Sequence, residues 1–160
     1  LKRIIAIFIL LICTVTFGQD STNSFKTFES QEFEVNDIIL APKIYFTLSG
    51  GPRVMHDHID SVKVIADFLI ANPTIVVEIG AHTDFRGNAE SNMKLSERRA
   101  MAVKSVLEYQ FNIPSERMKI VGYGESDPLI SEKKILEISK EQREELHAVN
   151  RRVEIKILKI

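Results

Sequence analysis

The sequence predicts an α/β fold, a two-layer α+β sandwich in the order β-α-β-α-β-α-β, with helices on one face of a mixed sheet of about four strands. Three observations predict it. Apolar residues recur at helical spacing over residues 54–71 and again beyond residue 89. The short runs TIVVEIGAH, MKIVGYG and VEIKILKI concentrate or alternate strand formers. Gly, Pro and Asn mark the junctions between these runs.

The chain has 160 residues and a net charge of −1, which fits one ordinary domain able to bury a core. That balance gives no support to nucleic-acid binding through a broad basic face. The N-terminus, LKRIIAIFILLICTVTFGQD, carries two basic residues and then an apolar run too short for a comfortable membrane span. Small residues Thr16 and Gly18 follow, so residues 1–18 are expected to form a cleaved signal peptide. The alternative is an uncleaved anchor; lipidation at Cys13 is disfavoured by the bulky Ile12 before it. Cleavage after Gly18 leaves a mature chain with no transmembrane segment and no cysteine. That excludes thiol nucleophiles, Cys-ligated zinc and disulfides.

Residues 19–34 are polar with scattered Phe and read as a linker, and residues 35–160 as the domain. Residues 38–46, IILAPKIYF, form the first strand, interrupted at Pro42. Pro52 opens a helix whose apolar positions include Ile59, Val62, Ile65, Ala66 and Leu69, and Asn72-Pro73 stops it. Residues 74–82 form a strand with Ile75, Val77, Ile79 and Ala81 on one face. The second helix runs from Ala89 to about Gln110, and MKIVGYG is the third strand. Residues 131–149, rich in Lys and Glu, read as one solvated helix from which no partner is inferred. The last strand places Arg151 with Val153 and Ile155 toward the helices, and Arg152 with Glu154 and Lys156 on the outer face.

The second helix poses a charge problem. On a helical wheel Asn92, Leu95, Ala102, Val103 and Val106 all lie within about 60° of Arg99, which places this arginine at the centre of the apolar stripe, with Arg98 on its flank. An inward cation needs a partner. HDHID, residues 56–60, resembles a metal-ligand cluster, but on a helix His58 turns about 160° from His56, so a solvated face is the expectation. His82 lacks a nucleophile or second base beside it. Gly122-Tyr123-Gly124 is a turn and lacks the third glycine of a dinucleotide fingerprint.

The run IGAHTDFRGNAESNMKLSERRAMAVKSVL, then RMKIVGYGESDP, then NRRVEI, in this order and spacing, resembles the OmpA C-terminal domain-like (OmpA/MotB) peptidoglycan-binding family. The resemblance covers roughly residues 35–160. It implies non-covalent binding of peptidoglycan, through the diaminopimelate of the stem peptide, whose distal end carries an ammonium and a carboxylate. It implies no catalytic residues, no metal and no cofactor. By motif position it assigns ligand contacts to Asp84, Arg99, Asn92, Thr83 and Arg151, and so offers Asp84 as the partner of Arg99. It also implies a place in the periplasm or at the outer membrane, with an outer-membrane or envelope protein as a candidate partner. One departure matters: the family usually has an aspartate after the first-strand phenylalanine, where this chain has Thr47. Two other readings stay open, an interaction scaffold of this fold without wall binding and a periplasmic wall hydrolase or metallohydrolase.

Overall fold

The computed structural model describes residues 25–47 and 51–160; the expected signal peptide lies outside the described residues. The strands are β1 (Phe25–Lys26), β2 (Ile38–Leu40), β3 (Val76–His82), β4 (Met118–Gly124) and β5 (Val153–Lys159). The helices are α1 (Ile59–Ala71), α2 (Ala89–Phe111), α3 (Glu132–Leu136) and α4 (Arg143–Asn150). The sheet order is β1-β2-β5-β3-β4, so it has five strands rather than about four. The additional strand comes from the polar segment: Phe25 and Lys26 run parallel to Ile38 and Ile39. Its phenylalanines are not solvent-facing ornaments, because Phe28 and Phe33 pack edge-on against Phe68 of α1.

The interior lies between the sheet and α1–α2. Val77, Ile79 and Ala81 of β3, with Ile155 and Ile157 of β5, meet Val62, Ile65 and Leu69 of α1 and Val103 and Leu107 of α2, all fully buried. The expected alternation of β3 and β5 is therefore the observed one. β5 runs antiparallel between β2 and β3, while β3 and β4 are parallel and joined by α2 as the crossover.

Three segments differ from expectation. The first strand ends at Leu40 rather than 46; Pro42 has no N–H to donate, and only Phe46 rejoins a ladder, as an isolated bridge to Val54. The helix expected over 131–149 is two short helices. Arg143 donates from Nε to the Ile138 carbonyl (3.1 Å) and from Nη2 to the Leu136 carbonyl (2.8 Å), closing the end of α3 with a side chain. His56–His58 form a separate 3₁₀ turn before α1.

Helix α2 fixes the site. Asn88 caps it, its Oδ1 accepting from the N–H groups of Glu90 (2.9 Å) and Ser91 (3.2 Å). Its buried positions are Asn92, Ser96, Ala100, Val103 and Leu107. That face is centred about 60° from Arg99 on the wheel, so Arg99 stands at the edge of the stripe instead of its centre. The cause is backbone proximity: a methyl group at Gly122 of β4 would run into the Glu97 backbone and the Ser96 hydroxyl. Only small residues fit where α2 and β4 approach so closely, and Ser96 and Ala100 supply them.

Candidate functional site

The site begins where β3 leaves the sheet. A register shift between Ala81 and His82 pairs His82 with Gly124, and the Thr83 N–H donates to the Gly124 carbonyl (2.7 Å). Such a bulge redirects the chain end. It leaves Thr83 and Asp84 both buried beneath the 83–88 loop.

Asp84 is saturated. Its Oδ1 accepts from the Arg86 N–H (3.0 Å) and Nε (3.1 Å), and its Oδ2 from Arg86 Nη2 (2.7 Å) and Arg151 Nη1 (2.7 Å). Burial alone would raise the carboxyl pKa, but the hydrogen bonds from Arg86 and Arg151 outweigh it and hold the group at about 2. Glu144 of α4 closes a ring of alternating charge, accepting from Arg151 Nη2 at 2.6 Å and Arg86 Nη1 at 2.9 Å. Hydrogen bonds from Arg151, then Arg86, keep its carboxyl below the ordinary range.

Arg99 stands outside this ring. The expected direct pair with Asp84 is not formed, because Arg86, two residues away, and Arg151 take the carboxylate first. Among the described residues Arg99 has no hydrogen bond or ion pair, and its buried Nε is unpartnered. Its guanidinium lies 5.4 Å over the Phe46 ring. Burial, then the like charge of Arg151, destabilises the cation, while Asp84 opposes them through space.

Arg99 and Arg151 both line a cavity of about 280 Å³, with Leu40, Ile44, Phe46 and Val153 among its walls. Residues 40–46, the segment that follows β2, line one side of it. A partly open, largely apolar space bordered by a guanidinium without a hydrogen-bonded partner is suited to one carboxylate on an aliphatic body.

The other expected site residues divide by role. Asn92 is buried and donates to the carbonyls of Asp84 (3.3 Å) and Arg86 (3.2 Å) and to Glu125, so it holds the loop against α2. The Thr83 hydroxyl is buried without a partner at the base of the loop. Arg151 belongs to both the ring and the cavity. Thr47 ties its own turn, donating to the Gly51 carbonyl and accepting from the Arg53 N–H, each at 3.1 Å. Arg86 and Glu144 were not anticipated. An Asx-type turn from Asp84 to Arg86 was readable from the short Asp-x-Arg spacing, whereas Glu144 joins from 58 residues away.

The histidines fall elsewhere. His56 is fully exposed, and His58 packs on the Tyr45 ring at 4.6 Å. His82 is buried, stacked on Tyr123 at 4.7 Å, with Nε2 3.2 Å from Glu154 Oε2. His82, Glu154 and Asp127 are close enough together to suggest metal ligands. Arg152, however, donates to Glu154 at 2.7 Å and lies 3.6 Å from Asp127, so a guanidinium already balances both carboxylates. Arg152 and Glu154 do share the outer sheet face, as expected, but are nearly buried there.

This fold and this motif-bearing loop define the class: the chain belongs to the OmpA family, whose profile matches residues 33–143. It is 35% identical over 105 residues to outer membrane porin F of Pseudomonas aeruginosa, covering 66% of this chain and 27% of that protein. It is 34% identical over 112 residues to the peptidoglycan-associated lipoprotein of Legionella pneumophila, covering 70% of this chain and 58% of that protein. The solved cell wall anchor of the T6SS from Pseudomonas aeruginosa aligns with a TM-score of 0.56 and 26% identity, covering 77% of this chain and 80% of that one. The chain thus spans between about a quarter and somewhat over half of these curated relatives. Among the described residues no helix is long and apolar enough to cross a membrane.

Proposed function

We propose that this domain binds peptidoglycan non-covalently in the bacterial envelope, as a binding module and not an enzyme. The observation that carries the reading is Arg99, half-buried on a largely apolar cavity with its Nε buried and unpartnered. A partly desolvated cation in that position gains from a ligand carboxylate that completes it. The distal carboxylate of diaminopimelate is of the right charge and size, and its methylene chain suits the walls. Thr83 offers a free buried hydroxyl nearby, Arg151 borders the cavity, and Asn92 and the Asp84 ring hold the loop in place. The printed names of the relatives, a peptidoglycan-associated lipoprotein and a cell wall anchor, support the same reading.

By the same reasoning the protein resides in the periplasm or at the outer membrane, exported by residues 1–18, with an outer-membrane or envelope protein as candidate partner. Intact mass of the exported protein beginning at Gln19 checks the leader.

Co-sedimentation with sacculi of the diaminopimelate type tests the binding. Truncating one member of a desolvated charge pair costs about 2–5 kcal/mol, at least roughly 30-fold in affinity. Arg99→Ala should therefore lose sedimentation, while exposed Arg98→Ala changes it by less than a few fold. Sacculi with lysine in the stem should bind poorly, since lysine lacks the distal carboxylate. Folded Arg99→Ala protein that sediments like the wild type would favour the interaction-scaffold reading instead, to which the saturation of Asp84 already lends some support.

A further inference from the structure

Helix α2 has an outer face that the cavity beside Arg99 does not use. Met101, Ala102, Val106 and Tyr109 border a surface groove there, together with Val54 and Ile59 from the chain around the start of α1. No residue that lines this groove also lines the cavity. Tyr109 is 78% exposed and Met101 49%, while the other four are half-buried. Exposed apolar residues scattered singly are ordinary, but a contiguous patch marks an association site.

Charge decides what it associates with. Arg53 and Arg98 border the groove. Asp57 and Asp60 border an adjoining recess, which shares Val54, Ile59 and Gln110 with it. Gln110 reaches both spaces, and Arg98 lies a little over three turns earlier on α2, about 18 Å along its axis. The face therefore carries a cation well separated from its carboxylates, with apolar residues between. Exposed charges elsewhere on these helices pair within their own element, Lys63 with Asp67 at 2.7 Å and Lys94 with Glu90 at 2.5 Å. Arg53, Arg98 and Asp60 have no ion pair among the described residues, and Asp57 meets only exposed His56, 3.8 Å away.

A partner of uniform charge, such as an anionic membrane or an acidic peptide, would be repelled by part of this face. A second copy turned end for end carries the matching set. Its aspartates meet the arginines, its arginines meet the aspartates, and the apolar residues meet each other. We propose that this face is a self-association surface on which two copies of the chain pack about a two-fold axis. The groove and its recess are small beside a standard interface of about 20–30 residues a side, so the dimer is weak, with a dissociation constant on the order of tens of micromolar. Because the two surfaces share no lining residue, this inference stands apart from wall binding.

Sedimentation equilibrium of the exported protein, over concentrations spanning that constant, tests it. The wild type should pass from monomer to dimer. Arg53→Glu with Arg98→Glu should raise the dissociation constant at least about tenfold, and so should Asp57→Lys with Asp60→Lys, because each sets like charges against each other. Mixing these two variants should restore a dimer of one of each, at least as tight as the wild type's, since every charge then meets its opposite. Tyr109→Ala, at an exposed position harmless to the fold, should weaken the dimer about tenfold with no change of charge. Circular dichroism checks the fold of each variant, and Tyr109→Ala carries the test if a charge variant does not fold. A wild type that stays monomeric throughout overturns the proposal. A dimer that persists unchanged in Tyr109→Ala or in both charge variants overturns it too, as do folded charge variants that remain monomers when mixed.

Discussion

The loop after β3 holds a buried charge and the nearby face of α2 a half-buried one, and the two are resolved in opposite ways. Asp84 is surrounded by donors from its own loop and from Arg151, between α4 and β5. Arg99, about three turns into α2, has an aromatic ring and a distant carboxylate but no hydrogen-bonded partner. The first charge is satisfied by hydrogen bonds within the chain, and the second has none among the described residues. A charge satisfied internally contributes to the fold; one left unsatisfied in a cavity points to something that arrives from outside.

Substitutions should separate the two. Removing the centre of the ring is expected to have the largest effect on stability. Asp84→Ala leaves Arg151 and Arg86 without their shared acceptor, and breaking a buried pair from one side costs about 3 kcal/mol. Chemical denaturation checks it, and a loss below about 1 kcal/mol would dissolve the contrast.

A somewhat smaller effect follows from pH. The Asp84 carboxyl is depressed from 3.8 to about 2 in the folded state, so its contribution is fully present above the unfolded value and disappears as pH falls toward 2. That shift corresponds to about 2 kcal/mol. The stability difference between wild type and Asp84→Asn should accordingly be constant near neutrality and close between pH 4 and pH 2. A gap that persists unchanged at pH 2 would assign it to packing rather than charge.

The smallest effect is expected at Arg99. Arg99→Leu removes a half-buried cation that has no hydrogen-bonded partner, and apolar replacement of such a group is often neutral or stabilising. Its melting temperature should stay within a few degrees of the wild type or rise. A marked fall would show that Arg99 stabilises the fold through Phe46.

Much of this was legible along the chain. Periodicity located β3, α2 and β5 to within a residue or two, because each buries one continuous face and hydrophobic spacing records that directly. It failed where side chains, not spacing, decide the geometry. Arg143 splits the segment 131–149 by capping carbonyls, and Pro42 detaches the strand begun at Ile38. Among site residues, the helical wheel correctly distinguished half-buried Arg99 from exposed Arg98, but it placed Arg99 too centrally. The wheel carries no information on how closely Gly122 lets β4 approach Ser96 and Ala100.

What the sequence by itself determined is the order of the elements, the faces that become core, and the motif that places Thr83, Asp84, Asn92, Arg99 and Arg151 around one loop. These are local properties, encoded in spacing over a few turns or a few strand residues. Which charges meet was decided only by the tertiary structure. Arg86 reaches Asp84 by virtue of a turn, and Glu144 and Arg151 arrive from remote positions once α4 and β5 have packed. Ion pairing depends on distances of a few ångströms between elements far apart in the chain, where the Coulomb energy changes steeply. Hydrophobic pattern sets the direction in which a side chain points, and packing alone sets what it finds there.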